Sequence, residues 1–128
     1  MTYYYTTTTN KTFEEAIEEV TALLKEEGFG VLTEIDVKET LKKKLDVDFK
    51  KYHILGACNP EFAHKALTAE DKIGVMLPCN VIVEEHENGQ VEVSAVNPVA
   101  SMQAVENDEL HSIADEVKKR LQKVIEQL

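Results

Sequence analysis

The sequence predicts a two-layer α+β sandwich in which helices cover one face of an antiparallel or mixed sheet. Segments whose apolar residues recur at helical spacing alternate along the chain with short β-branched and apolar runs. Asn88-Gly89, between two such runs, is a strong signal for a hairpin, and the two strands of a hairpin are antiparallel. At 128 residues the chain is most simply one domain, spanning residues 1–128.

Clear end signals bound the first helix. Residues 3–8 are rich in aromatic and β-branched side chains, which predicts a strand before the helix. Thr12 and Glu15 have the spacing of a capping box, and Gly28 supplies the left-handed residue that ends a helix. Between these signals, apolar residues recur at helical spacing: Phe13, Ala16, Ile17, Val20, Leu23 and Leu24.

A strand and a short helix are predicted next. Residues 29–35 have the pattern of a strand, with Phe29, Val31 and Ile35 on one face. Asp36 is a suitable N-cap, with Glu39 at the capping-box position. The basic run at 42–44 complements the dipole at the end of this helix.

The middle of the chain contains two apolar runs. Residues 52–57 are almost continuously apolar, which predicts a strand buried on both faces. Asn59 then caps a helix that starts with Pro60, where proline is favoured. Residues 73–77 predict another strand, and Pro78 marks a bulge or an edge because proline cannot donate a ladder hydrogen bond.

The predicted hairpin joins residues 81–86 to residues 91–96 through Asn88-Gly89. A two-residue turn sets Val83 opposite Ser94, and it sets Glu85 opposite Glu92, where the two like charges repel. We therefore expect that end of the hairpin to protrude into solvent.

A final helix follows an irregular segment, residues 98–105, in which Met102 is suited to fill a gap in the core. Asn107 is its predicted cap, and Ile113 and Ile125 widen its apolar stripe, which favours a helix on its own sheet over a dimer seam. The seam itself has heptad spacing: Leu110, Ala114, Val117, Leu121, Val124 and Leu128.

Charge and composition argue against several functions. The formal net charge of −10 disfavours nucleic acid and anionic membrane surfaces as partners, since both need clustered cations. We see neither a secretory leader nor an apolar stretch near the ~20 residues that span a bilayer. We therefore expect a cytoplasmic protein whose two cysteines are free thiols.

The two cysteines carry the most informative pattern, because each is followed by an asparagine. Cys58 precedes the predicted cap of a helix, where the helix dipole favours a thiolate. Cys79 lies near it if the strand at 73–77 neighbours the strand at 52–57. The predicted ligand-binding residues of this thiol-lined cleft are Cys58, Asn59, Pro60, His64, Pro78, Cys79 and Asn80.

Four interpretations of the cysteines stay open. They are space-filling core residues, a reactive thiol with Cys58 as nucleophile and His64 as base, a metal or haem site of Cys58, Cys79 and His64, or bystanders of a small-ligand pocket. The metal interpretation lacks the usual Cys-x-x-Cys spacing. The residues identify no cofactor, and they leave open whether the protein is an enzyme.

Three motifs resemble one known family, called domain of unknown function 302. They are residues 28–36 with 41–45, residues 54–60, and residues 77–81, and the resemblance covers the chain from Phe13 to Pro98. It implies a two-layer α+β sandwich likened to the TATA-binding-protein fold, in small bacterial and archaeal proteins often seen as dimers. The nucleic-acid role of the fold's namesake does not carry over, because this chain lacks a basic surface.

The resemblance implies no established activity, although some members are associated with sulfur metabolism. Our leading hypothesis is therefore a homodimeric binding module for a small molecule or a sulfur species. The alternatives are a cysteine-dependent enzyme that uses Cys58 and His64, a metal-binding protein, and a structural protein that interacts through its last helix.

Overall fold

A computed structural model describes residues 2–128 and contains one five-stranded antiparallel sheet of strand order β1-β5-β4-β3-β2. The strands are β1 (Tyr4–Thr9), β2 (Gly30–Asp36), β3 (Tyr52–Cys58), β4 (Cys79–Glu85) and β5 (Val91–Val96). The helices are α1 (Phe13–Glu26), α2 (Val37–Leu45), α3 (Pro60–Ala69), α4 (Pro98–Ser101) and α5 (Asp108–Glu126), with a 3-10 helix at Asp71–Met76. This architecture confirms the predicted α+β sandwich.

The main core lies between the sheet and helices α1 and α5. Alternate strand residues such as Leu55, Val81 and Val93 are fully buried there, against Val20 of α1 and Leu121 of α5. Burying each such aliphatic side chain contributes roughly 1.5–3 kcal/mol. The intervening strand residues point to the opposite side, the outer face of the sheet: Tyr52, Ile54, Asn80, Ile82, Glu84, Glu92, Ser94 and Val96.

The apolar stripe of α5 packs on its own sheet and core, as its width predicts. Leu110, Ala114, Val117, Leu121 and Val124 are all buried within the chain. A seam that is already buried cannot pair with a second copy. The alternative of a dimer seam made of these heptad residues is therefore wrong.

The predicted helix ends are confirmed where local hydrogen bonds define them. Thr12 and Glu15 form both halves of the capping box, and Gly28 has a left-handed φ of +87°. Asn59 caps α3, whose first residue is Pro60. Asp36 caps α2 by accepting a hydrogen bond from the Glu39 backbone N–H.

The strand predicted at residues 73–77 is wrong, because a 3-10 helix occupies Asp71–Met76. Residues two apart share a face in a strand but point in different directions in a helix. Ile73 is accordingly buried in a second core, with Ala66 and Met102, while Val75 is 86% exposed. A short apolar run does not distinguish these two structures.

A bulge in β2 overturns the predicted alternation of that strand. The register with β3 shifts between Val31 and Thr33, so the residues after the bulge change faces. Phe29 is buried as predicted, but Ile35 is 47% exposed.

The predicted hairpin register is wrong by one residue. His86 N–H donates to the Gln90 carbonyl at 2.8 Å, so three residues rather than two form the loop, and Gly89 takes a φ of +83°. Val83 therefore faces Val93, and Glu84 rather than Glu85 faces Glu92.

The irregular segment contains one short helical turn, α4, and the Leu77–Pro78 peptide bond before β4 is cis. Met102 is only 5% exposed and fills the second core, as predicted. No helix within residues 2–128 is long and apolar enough to cross a membrane.

Candidate functional site

The two cysteines lie at the same end of two neighbouring strands. Cys58 is the last residue of β3 and Cys79 is the first residue of β4. Antiparallel pairing sets Ala57 opposite Cys79, so Cys58 is adjacent to this pair. Both cysteines are free and half-buried. The predicted proximity of the two cysteines is present, but the neighbouring strand begins at Cys79 and not at residue 73.

Both cysteines line one partly open hollow, which we call the thiol cavity, with a volume of about 40 Å³. Asn59 and Pro78 also line it, and its remaining wall is apolar. A water needs about 10–15 Å³ by this measure, so the cavity holds a few water-sized molecules at most. Ordinary ligand pockets of ~300–1,000 Å³ are far larger. The apolar wall comes mainly from α3, α5 and the segment between them: Phe62, Ala63, Met102, Leu110, Ala114 and Val117.

The cavity favours a neutral thiol at Cys79. Burial, with a smaller contribution from the neighbouring Cys58, raises the pKa of Cys79 from an ordinary value of 9.0 to about 11. Cys79 is therefore protonated near neutral pH, and a protonated thiol is a weak nucleophile. The cavity is chemically soft and apolar rather than charged.

Asn59 holds the cavity wall in place. Its Oδ1 accepts a hydrogen bond from the Phe62 backbone N–H at 3.3 Å, and the residue is only 8% exposed. A Cβ at Gly28 would lie 2.9 Å from Asn59 Nδ2, and Gly28 also has a positive φ. A glycine at position 28 is thus needed for conformation and for space.

Arg120 is a site residue that the sequence reasoning missed. Its Nη1 donates to the Glu27 carbonyl at 3.1 Å, and its guanidinium lies 4.9 Å from the centroid of the Phe62 ring. Arg120 thereby connects α5 to the end of α1 and to the cavity wall. Helical periodicity marks buried apolar positions, so it gave no signal for this long polar side chain.

Three predicted ligand-binding residues lie elsewhere. In the described chain, the residues that line the thiol cavity do not include Pro60, His64 or Asn80. Pro60 and His64 are exposed on α3, and Asn80 lies on the outer face because it directly follows Cys79 in β4. The cavity thus brings together Cys58, Asn59, Pro78 and Cys79 from the predicted set.

A second hollow, which we call the outer groove, has a volume of about 460 Å³. Strands β3, β4 and β5 form its floor and the start of the chain forms one wall. At one end, Glu84, His86 and Glu92 bring possible metal-ligand atoms within 4.8 Å of one another. The sequence reasoning missed this groove because its register placed Glu85, not Glu84, beside Glu92. The groove is lined by Tyr3, Tyr4, Tyr52, Asn80, Ile82, Glu84, Glu92, Ser94, Ala95 and Val96.

A family model described as Domain of unknown function DUF302 matches residues 5–128. The chain belongs to this family. A solved structure, the uncharacterized conserved protein DUF302 from Bacillus stearothermophilus, is 32% identical and superposes with a TM-score of 0.91. The match covers 99% of this chain and 98% of that chain. No curated protein matches the sequence. The resemblance in the three DUF302 motifs is confirmed, and with it the fold.

Proposed function

We propose that the protein binds a very small neutral sulfur species, such as hydrogen sulfide, in the thiol cavity. One observation carries this proposal: Cys58 and Cys79, from neighbouring strands, border one narrow apolar hollow of about 40 Å³. The association of some DUF302 proteins with sulfur metabolism agrees with such a ligand.

Size and polarity both select the ligand. A cavity of this volume admits a molecule of a few heavy atoms at most, unless the wall moves. Transfer of an ion into an apolar wall is costly, so the neutral form of the ligand is favoured over an anion. Thiols are weak donors and acceptors, and they suit a polarisable partner better than a strongly hydrated one.

A titration with sodium sulfide, followed by amide NMR, tests this proposal. At pH 6 we expect shifts confined to the end of β3, the start of β4 and the cavity-facing part of α5. Ala114→Val, which fills the cavity, should abolish these shifts. Ala22→Val on the exposed side of α1 is the matched control and should preserve them. Shifts that are unchanged by Ala114→Val would contradict binding in the cavity.

The alternative of a cysteine-dependent enzyme has less support. The exposed position of His64, outside the thiol cavity, favours binding over catalysis by Cys58 with His64 as base. Rates of iodoacetamide alkylation against pH separate the two. Alkylation of Cys58 that slows in His64→Gln at neutral pH would favour the enzyme.

We further propose a homodimer that associates through the edge formed by β2, α2 and the segment after α2. Large apolar side chains are exposed there: Leu32 at 70%, Ile35 at 47%, Leu45 at 66%, Val47 at 43% and Phe49 at 39%. An apolar surface at a sheet edge is suited to association with a second copy.

A cytoplasmic location suits the two free thiols.

Light scattering tests this dimer. We expect a dimer for the natural chain and a monomer for Leu45→Glu. Val75→Glu alters an 86% exposed valine of the 3-10 helix, outside the proposed interface, and this variant should stay dimeric. A monomeric natural chain would contradict this proposal while leaving the thiol cavity unaffected.

A further inference from the structure

The outer groove holds two carboxylates in direct opposition. Tyr52, Glu84 and Glu92 form one row across β3, β4 and β5, since Tyr52 pairs with Glu84 and Glu84 pairs with Glu92. The side chains of Glu84 and Glu92 are only 13% and 26% exposed. Like charges opposite each other in a sheet are destabilising unless a cation lies with them.

The protein places its own ammonium group at this end of the groove. Lys50 Nζ lies 2.6 Å from Glu84 Oε1 and 5.9 Å from the centroid of the Tyr52 ring. A carboxylate and an aromatic face are the two groups that hold an ammonium ion in proteins. The Lys50 side chain is 36% exposed, so another ammonium can displace it.

The local charge leaves room for one further cation. Glu92 is ionised, because hydrogen bonds with the His86 ring and from the Thr6 hydroxyl hold its pKa below the ordinary value. Two carboxylates face the single ammonium group of Lys50, which leaves a net charge of about −1 among these three groups. The formal net charge of −10 for the whole chain attracts cations to the surface.

The rest of the groove suits an apolar body. Glu84 lies four residue steps after Asn80 in β4, a span of ~13 Å along the strand. Ile82 and Val96 form an apolar floor in this span. Tyr3 and Tyr4 stand at the far end, with their rings 4.9 Å apart and steeply inclined.

We infer that the outer groove binds a protonated organic amine. Its ammonium group lies between Glu84, Glu92 and Tyr52, and its aliphatic or aromatic body extends over Ile82 towards Tyr4. The volume of about 460 Å³ is within the range of small-molecule sites. This site lies on the face of the sheet opposite the thiol cavity, so it does not rest on the proposed sulfur ligand.

A divalent metal is the competing ligand for these carboxylates, since Glu84, His86 and Glu92 bring ligand atoms within 4.8 Å. The structure favours the amine for two reasons. First, Glu84 already binds the ammonium group of Lys50, so its position suits an ammonium ion. The Glu92 carboxylate already accepts hydrogen bonds from Thr6 and pairs with His86, and a metal would have to displace these contacts. Second, a metal ion would make no contact with the tyrosines or with the apolar floor, whereas the body of an organic amine would pack on both.

Binding of tyramine, compared with 4-ethylphenol, tests the inference. The two probes share a ring and differ in the amine, so we expect tyramine to bind at least about tenfold more tightly by amide NMR titration. The shifting amides should lie in β3, β4 and β5 around the groove. Equal binding of the two probes, or no binding of tyramine, would overturn the inference.

Matched variants locate the site. Glu84→Gln should weaken tyramine binding about tenfold, whereas Glu85→Gln, at the adjacent residue on the opposite face, should leave it unchanged. Lys50→Met removes the internal competitor and should tighten binding several-fold. Equal effects of Glu84→Gln and Glu85→Gln would contradict the site, and so would saturation by ZnCl2 with no response to tyramine.

Discussion

The thiol cavity and the outer groove lie on opposite faces of the same sheet, and β4 contributes to both. Cys79 borders the cavity of about 40 Å³, while the next residue, Asn80, borders the groove of about 460 Å³. Helices cover the first face, so its hollow is small and apolar. The second face keeps carboxylates and tyrosines in contact with solvent. One strand thus supplies two chemically different environments through side-chain alternation alone.

The largest expected difference between the two faces is in stability. Leu55→Ala removes a fully buried side chain from the covered face and should lower the free energy of unfolding by about 2–5 kcal/mol. Ile82→Ala, on the half-buried floor of the groove, should cost no more than about 1–2 kcal/mol. Urea unfolding of both variants measures this difference. Equal costs would show that the outer face is part of the core.

The pH dependence of the free energy of unfolding tests the burial of Cys79 on the covered face. Above pH 9 the Cys79 thiol ionises in the unfolded chain but stays protonated in the folded chain until about pH 11. Folding is therefore opposed as pH rises, and up to about 2–3 kcal/mol of stability should be lost across this window.

The measurement is the difference between the natural chain and Cys79→Ala in urea unfolding from pH 8 to pH 11, because lysines and tyrosines also titrate there. Cys58→Ala retains the Cys79 thiol and serves as the control, so it should keep most of the loss. Parallel pH profiles for the natural chain and Cys79→Ala would show that Cys79 is more hydrated than its position indicates.

The smallest expected effect comes from the groove. Lys50→Met breaks the ion pair with Glu84, but partly exposed ion pairs contribute only about 0–1 kcal/mol. Thermal unfolding should thus change little in this variant. A loss of several kcal/mol would assign the groove charges to folding rather than to binding.

The sequence predicted features that depend on neighbouring residues. The caps at Thr12, Asn59 and Asn107 were predicted correctly, since each depends on hydrogen bonds within three residues. The fold class followed from the order of these elements. The three family motifs predicted the family, which the family model confirms.

Features that depend on strand pairing were not predicted. The bulge after Val31 and the three-residue loop before Gln90 each shift a register by one residue, and neither has a distinctive residue pattern. That shift concealed the Glu84–Glu92 pair and the groove. The sequence predicted the cysteine side of the thiol cavity, with Cys58, Asn59, Pro78 and Cys79. The opposite wall comes from α5, and no local sequence pattern specifies that α5 packs against α3.

Arg120 has a consequence for kinetics. Its guanidinium joins α5 to the end of α1 and lies over the Phe62 ring, which is part of the cavity wall. Arg120→Ala removes both contacts and should let the Phe62 ring move more easily, so we expect the residence time of a bound molecule, rather than its affinity, to change first.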